Sequence, residues 1–112
     1  MRRDDSHVSQ MRKGLVELAV LGLLACDERY GQQLVDDLEA HSGLAVSAGT
    51  VYPLLARLRR DGLIDATWQE SPVGPPRKYY RLTGTGRAAL ADMASAWRSI
   101  RAALDSLLEE TR

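Results

Sequence analysis

The side chains with the clearest hydrogen-bonding chemistry fall into two short groups, one in the middle of the chain and one later in it. Hydroxyl, guanidinium and ammonium groups donate to phosphate oxygens and to base edges, so such groups are typical of DNA-binding surfaces. For any one residue of the first group a solvated helix face is an equally good interpretation, and for the second group the alternative is a solvated hairpin whose charges protect an edge strand. Only the whole set favours DNA. The predicted DNA-contacting residues are Ser47, Thr50, Tyr52, Arg57, Arg77 and Lys78.

The remaining reactive side chains form neither a catalytic nor a metal-binding pattern. His7 and His41 stand alone in the sequence, and Cys26 has no partner base such as histidine close to it. The ligand spacing of zinc sites and a glycine-rich loop before a helix are both missing. The sequence therefore predicts a protein that is not an enzyme and that needs no metal or cofactor. Cys26 follows an apolar run and is expected to be a buried structural thiol.

Charge is distributed unevenly, although the formal net charge is zero. DNA binding depends on lysine and arginine neutralising phosphates, so the distribution of charge matters more than its total. Residues 46–82 carry an excess of basic side chains, which gives a neutral protein one basic face. The basic residues in this stretch are Arg57, Arg59, Arg60, Arg77, Lys78 and Arg81, and the acidic ones are Asp61, Asp65 and Glu70.

The length of 112 residues and the hydrophobic content of 45% suit one compact core and exclude two domains of ordinary size. Phenylalanine is absent, so the core must be built from leucine, valine, isoleucine and alanine, which favours helices. The longest apolar run, residues 18–26, is too short to span a membrane, and the polar start of the chain has no signal-peptide pattern. We therefore expect a cytoplasmic protein with no membrane partner.

Apolar periodicity predicts three helices in the first half of the chain. The first spans residues 12–25 and is expected to be buried on most sides, because it carries almost no charge. The second spans residues 30–38. The third occupies residues 47–61, with Ser47 accepting from the amides of its first turn and Gly62 as the C-terminal cap. Its apolar stripe is Val51, Leu54, Leu55 and Leu58.

A hairpin follows these helices. Residues 63–70 alternate between apolar and polar side chains, as a half-buried strand requires, and residues 78–82 form a second short strand. The proline- and glycine-rich residues 71–76 between them form an exposed tip. In the first strand Trp68 is expected to lie in the core or at the rim of a pocket. Three helices followed by a hairpin predict a mainly α (α+β) fold, a winged helix-turn-helix with a two-stranded wing.

The chain ends in a long predicted helix with Thr83 as its cap and an end near Glu110. At 1.5 Å per residue such a helix is about 40 Å long, more than the core of so small a domain can cover. Apolar residues repeat along it in alternating steps of three and four, which is the pattern of a helix that packs against another helix. The stripe therefore predicts a homodimer. Its residues are Leu90, Met93, Trp97, Ile100, Leu104 and Leu107.

Trp97, in this stripe, allows two interpretations. A large apolar anchor at a subunit interface is the simpler one. The other is that Trp97 and its symmetry mate form the aromatic walls of a pocket that binds a flat apolar effector.

Several ordered segments closely resemble the PadR family of bacterial transcriptional regulators. They are YGQQL at 30–34, SAGTVYPLL at 47–55, RLRRDGLI at 57–64, GPPRKYYRLT at 74–83, and Gly86. The resemblance implies a winged-helix domain with a C-terminal dimerisation helix, which binds inverted-repeat operators as a repressor and is often released by a small molecule. Carried over position by position, it implies the same six DNA contacts and a Trp97 that lines a pore at the dimer interface.

These observations predict a flexible N-terminal arm at residues 1–11, a DNA-binding domain at 12–82 and a dimerisation helix at 83–112. In the leading hypothesis, a dimeric repressor places its third helices in successive major grooves of operator DNA and thereby blocks a promoter. Two alternatives stay open: a small-molecule-binding protein with incidental DNA affinity, and a protein-interaction module that uses the winged helix as a scaffold.

Overall fold

A computed structural model describes residues 7–8, 11–12, 14–41 and 43–110. The predicted arm at residues 1–11 lies mostly outside the described residues. Three helices and a strand of two residues are followed by a hairpin, and a long helix closes the described chain. The elements are α1 (Val16–Cys26), β1 (Arg29–Tyr30), α2 (Gly31–Glu39), α3 (Ala48–Arg60), β2 (Ile64–Gln69), β3 (Arg77–Leu82) and α4 (Gly84–Glu109).

The core lies where α1, α2 and α3 pack against one face of a small sheet. Leucine and valine supply most of it, and each such side chain stabilises the fold by about 1.5–3 kcal/mol when it is fully buried. Of the predicted stripe of α3, Val51, Leu55 and Leu58 are completely buried, while Leu54 is half-buried. The other buried apolar residues are Val16, Val20, Leu21, Leu24, Leu34, Val35, Leu38, Ile64, Tyr80 and Leu82.

Two expectations about α1 are wrong. The helix begins at Val16 rather than at residue 12, because residues 14–15 form a turn in which the Leu15 N–H donates to the Arg12 carbonyl at 2.9 Å. Gly14 is a poor helix former, which explains the interruption. Cys26 is exposed rather than buried, since it lies in the last turn, beyond the face that the core covers. Its thiol donates to the Gly22 carbonyl at 3.6 Å.

The sheet has three antiparallel strands in the order β1-β3-β2. The predicted hairpin is confirmed as β2 and β3, paired from Ile64 opposite Leu82 to Gln69 opposite Arg77. The structure adds β1 on the other side of β3, with Arg29 opposite Tyr80. A strand of two residues is too short to show alternation in a sequence, which is why the pattern predicts only two strands.

The junction between α3, the wing and α4 is fixed by backbone contacts. Gly62 has a φ of +78°, and the Leu63 N–H donates to the Leu58 carbonyl at 3.0 Å, which closes α3 as predicted. Thr83 caps α4 by accepting from the Gly86 N–H at 2.9 Å, and its own hydroxyl donates to the Gly62 carbonyl at 2.7 Å. The start of α4 is therefore tied directly to the end of α3.

The long helix α4 contributes little to the core of its own chain. Of its 26 residues only Gly86 is buried, and every described residue from Arg98 onward is exposed. Leu90 and Met93 pack against the edge of the core, next to α1.

Within the part of the chain that the structure describes, no helix has the length and hydropathy needed to cross a membrane. The mainly α winged-helix fold predicted from the sequence is confirmed.

Candidate nucleic-acid interface

The exposed face of α3 combines small and basic side chains and carries no acidic residue. Val51, Leu55 and Leu58 fix the buried side of the helix, so Gly49, Ala56 and other exposed residues point the opposite way. Small residues at these positions let another backbone approach closely. Pro53 lies in the same exposed face, in the second turn of the helix. This arrangement suits a helix that enters a groove of a large anionic partner.

Ser47 precedes α3 in an extended conformation, as expected of an N-cap residue. Its hydroxyl makes no cap hydrogen bond, so the prediction that it accepts from the first turn is wrong. Instead its backbone carbonyl accepts from the Thr50 N–H at 3.0 Å and from the Val51 N–H at 3.1 Å. The hydroxyl stays exposed beside the positive end of the helix dipole, where anions are favoured.

Thr50 and Arg57 lie on one flank of α3, where they line a cleft of about 600 Å³ between this helix and the start of α1. Arg57 crosses to α1, and its guanidinium contacts the Glu17 carboxylate at 2.6 Å. Its second amino group is 3.8 Å from Asp61. Arg57 is half exposed, so an approaching phosphate would compete with Glu17 for the same donors.

Tyr52, Arg77 and Lys78 lie on the opposite flank, where they line a second cleft, of about 470 Å³. The Tyr52 ring packs over Gly31 so closely that a Cβ at Gly31 would lie 2.5 Å from the phenol oxygen. Burial, and after it the neighbouring Tyr52, raises the pKa of Tyr80 in this cleft, while Arg59 lowers it by a smaller amount.

The six predicted residues do not form one cluster. The flanks of α3 separate five of them into two groups, and Ser47 lies at the start of the helix.

The cations of the wing are held in place by aromatic rings. The guanidinium carbon of Arg77 lies 4.4 Å from the centre of the Tyr30 ring. The Lys78 ammonium lies 5.9 Å from the Tyr80 ring and 6.0 Å from that of Trp68. Such contacts limit where the charges point, because a cation is attracted to the face of an aromatic ring.

Two arginines that the predicted set omits belong to the same surface. Arg59 and Arg60 are exposed at the end of α3, and with Ala56 they line a small cleft that also contains Lys78. Arg60 additionally lines the cleft beside α1, so it lies between the two groups of predicted residues. Both arginines were visible in the sequence as part of its basic excess. The periodicity of the sequence already places Arg60 on the polar face of this helix, and the burial pattern of α3 shows that it faces directly away from the core.

Trp68 is 70% exposed, so it does not belong to the core, but it does lie at the rim of a pocket, the cleft that it lines with Tyr52 and Lys78. Its strand alternates as predicted, with Ile64 buried and Ala66 half-buried on the same face. The core ends before β2 does, so Trp68, the last apolar residue on this face of the strand, stays uncovered on the wing.

The predicted dimerisation stripe divides into two parts. Trp97 is half-buried and, together with Leu90, lines an apolar groove of about 510 Å³ between α1 and α4. Leu15, Leu18 and Gly22 of the α1 side line the opposite wall. The distal members Ile100, Leu104 and Leu107 are 47–58% exposed and lack a covering partner within the described chain.

A metal centre finds no support in the described residues, which contain no group of three histidine, cysteine, aspartate or glutamate side chains able to hold an ion.

Comparisons with known proteins agree with this arrangement. The model of the Transcriptional regulator PadR-like family matches residues 20–92, well over half of the chain. A protein of Mycobacterium tuberculosis, Transcriptional regulator Rv3488, is 40% identical over 83 residues, which cover 74% of this chain and 76% of that protein.

Solved structures of similar proteins share the fold. A PadR-like transcriptional regulator from Bacillus cereus has a TM-score of 0.82 and 36% identity, covering 88% of this chain and 96% of that one. A PadR family transcriptional regulator from Eggerthella lenta has a TM-score of 0.83 and 35% identity, covering 94% of this chain and 91% of that one. The acid-free face of α3, the cationic wing and these similarities lead to one conclusion: the chain is a transcriptional regulator that belongs to the PadR-like family.

Proposed function

We propose that this protein is a dimeric repressor that binds an inverted-repeat operator through α3 and the wing, in the cytoplasm of a bacterial cell. The observation that carries the proposal is the exposed, acid-free face of α3 with cations on both sides of it. Ser47, Thr50 and Tyr52 supply uncharged donors near the start of the helix. Arg57, Arg77 and Lys78 supply charge on its two flanks, and we add Arg60 between them.

The proposed dimer rests on the exposed apolar stripe of α4. Ile100, Leu104 and Leu107 would cost free energy if they stayed in water, at roughly 25 cal/mol for each Å² of apolar surface. A second copy of the same helix, packed by two-fold symmetry, covers them. The same symmetry places the two α3 helices about one turn of DNA apart, so the half-sites of the operator are expected to be about 10 base pairs apart.

DNA binding is tested with a duplex selected from a random-sequence pool by the wild-type protein. The affinity of Arg60→Ala and of Lys78→Ala for this duplex is measured at several salt concentrations. Each change is expected to weaken binding and to lower the slope of log affinity against log salt by about one. Arg81→Ala is the matched control, because Arg81 is an exposed cation on the opposite face of β3.

Failure to select any duplex, or equal affinity for selected and scrambled DNA, would contradict the proposal. It would favour a protein-interaction module, for which Arg60→Ala and Lys78→Ala leave partner binding unchanged.

We further propose that a flat apolar effector binds the groove beside Trp97 and releases the DNA. The groove is mainly apolar, and one aromatic ring forms part of its wall, which are the usual properties of a small-molecule site. A planar dye without affinity for DNA is titrated with Trp68→Phe, in which Trp97 is the sole tryptophan, and Trp97 emission and operator binding are recorded together. Quenching that parallels loss of the DNA complex supports an effector site. Quenching with no change in DNA binding indicates a protein that only binds the dye.

A further inference from the structure

Trp68 is the largest apolar side chain that the wing leaves in solvent. Alternate residues of a strand face the same side, so Trp68 continues the row formed by Ile64 and Ala66. Ile64 is 1% exposed and anchors the row in the core, whereas Trp68 is 70% exposed. An indole at this position contributes little to the fold of the chain, since most of its surface stays in water.

The surroundings of Trp68 combine aromatic surface with fixed positive charge. Trp68 lines the cleft of about 470 Å³ together with the rings of Tyr30 and Tyr52 and the cations Arg77 and Lys78. No carboxylate lines this cleft. Glu28, which precedes β1, accepts a hydrogen bond from the Gln69 amide at the end of β2, at 2.9 Å.

This combination favours nucleic acid over a protein partner. The deoxyribose rings that line the minor groove offer apolar C–H surface, and the phosphates on either side of them are anionic, which matches aromatic rings flanked by cations. Tyr52 of α3 lines the same cleft, so a duplex whose major groove holds α3 also lies close to the cleft.

We propose that Trp68 is a DNA contact of the wing, and that its ring packs against the sugar and base edges of the minor groove next to the major groove that α3 enters. This inference rests on the DNA binding proposed above. Lys78, opposite Trp68 in the strand pair, binds the adjacent phosphate, and its cation–π contacts keep it beside the indole.

The first test compares affinities for the duplex selected by the wild-type protein. Trp68→Ala is expected to weaken binding about tenfold, and Trp68→Phe, which keeps a flat apolar ring, only two- to threefold. The salt slope should stay the same in both, because no phosphate contact is lost, whereas Lys78→Ala lowers it by about one. Thr67→Ala, on the opposite face of the same strand, is the control and should bind as the wild type does.

The second test uses the emission of Trp68 itself. The chain has two tryptophans, so Trp97→Phe leaves Trp68 as the sole emitter. Its emission is expected to be quenched by the selected duplex, in a titration that follows the binding curve. Should Trp97→Phe weaken the dimer, the same signal is available as the difference between wild type and Trp68→Phe.

The two tests distinguish a failure of this inference from a failure of the DNA binding on which it rests. If the wild type selects no duplex, DNA binding itself is wrong and the inference falls with it. If the wild type binds DNA but Trp68→Ala stays within twofold of it, or Trp68 emission does not respond to DNA, the inference alone is overturned.

Discussion

The two ends of α4 differ in how they are held. At the start, Thr83 contacts the Gly62 carbonyl, and Gly86 lies so close to the Leu63 carbonyl that a Cβ there would be 1.9 Å from its oxygen. From Arg98 onward every described residue is exposed, including three leucines. One chain therefore fixes the position and direction of the helix but leaves its apolar stripe uncovered.

This difference shows which part of the molecule can fold alone and which part needs a second copy. The contacts at the start of α4 join residues of one chain, so they do not depend on concentration. The distal stripe gains free energy only by association, so its contribution to stability depends on protein concentration.

The largest effect is expected at the fixed end. Gly86→Ala introduces a Cβ against a backbone carbonyl that cannot move without opening the junction between α3 and α4. We expect a loss of about 3 kcal/mol in the free energy of unfolding, measured by urea denaturation at constant protein concentration. Gly84→Ala is the matched control, since nothing lies within 4 Å of its added Cβ. A stability of Gly86→Ala close to that of the control would show that the junction does not fix α4.

The second-largest effect is expected at the distal end of α4, where the apolar stripe is exposed. Leu104→Asp places a charge in the stripe, and in a two-fold dimer both copies of that charge are desolvated. We expect the dissociation constant of the dimer to rise about 100-fold or more, measured by sedimentation equilibrium, while the helical content of the monomer stays the same.

Ala102→Asp adds the same charge to an exposed position on the opposite side of α4 and is expected to leave the dimer intact. Equal behaviour of the two variants would show that Leu104 does not lie in an interface.

A smaller effect, on the pH dependence of stability, is expected at Tyr80, a buried residue of β3. Burial raises the pKa of Tyr80 above 10.0, so folding favours its neutral form. This contribution is complete below pH 10 and is lost as the pH rises through the raised pKa. The stability of the wild type is therefore expected to fall above pH 10, and that of Tyr80→Phe to fall less steeply. A Tyr80→Phe profile identical to that of the wild type would contradict the assignment.

The repeating elements of the fold could be predicted from the sequence, because periodicity and end signals reach only a few residues. The stripe of α3, Gly62 and Thr83 are of this kind, and the structure confirms them. β1 could not be predicted in this way, since two residues carry no pattern.

The extent of burial was harder to predict. Trp68 continues a valid alternation and Cys26 a valid apolar run, yet both are exposed. A sequence pattern shows which side of an element is apolar. It does not show where the neighbouring elements end, and that decides which apolar residues are covered.

The site itself was predicted as a set of residues but not as an arrangement. Nothing in the spacing indicates that Thr50 and Arg57 face α1 while Tyr52 and Lys78 face the wing. Nor does it indicate the ion pair between Glu17 and Arg57, since the two residues are 40 positions apart. Such long-range partners follow from packing, which local sequence signals do not encode.

That ion pair gives the smallest predicted effect, and it joins α1 of the core to α3, the helix proposed to bind DNA. Both side chains are partly exposed, so Glu17→Gln should change stability by less than about 1 kcal/mol. The same change frees the Arg57 guanidinium for phosphate and is expected to raise affinity for the selected duplex two- to fivefold at low salt. Asp92→Asn removes an equal charge from an exposed position of α4 and is the control. Weaker binding by Glu17→Gln than by this control would mean that Glu17 orients Arg57 toward DNA instead of competing with it.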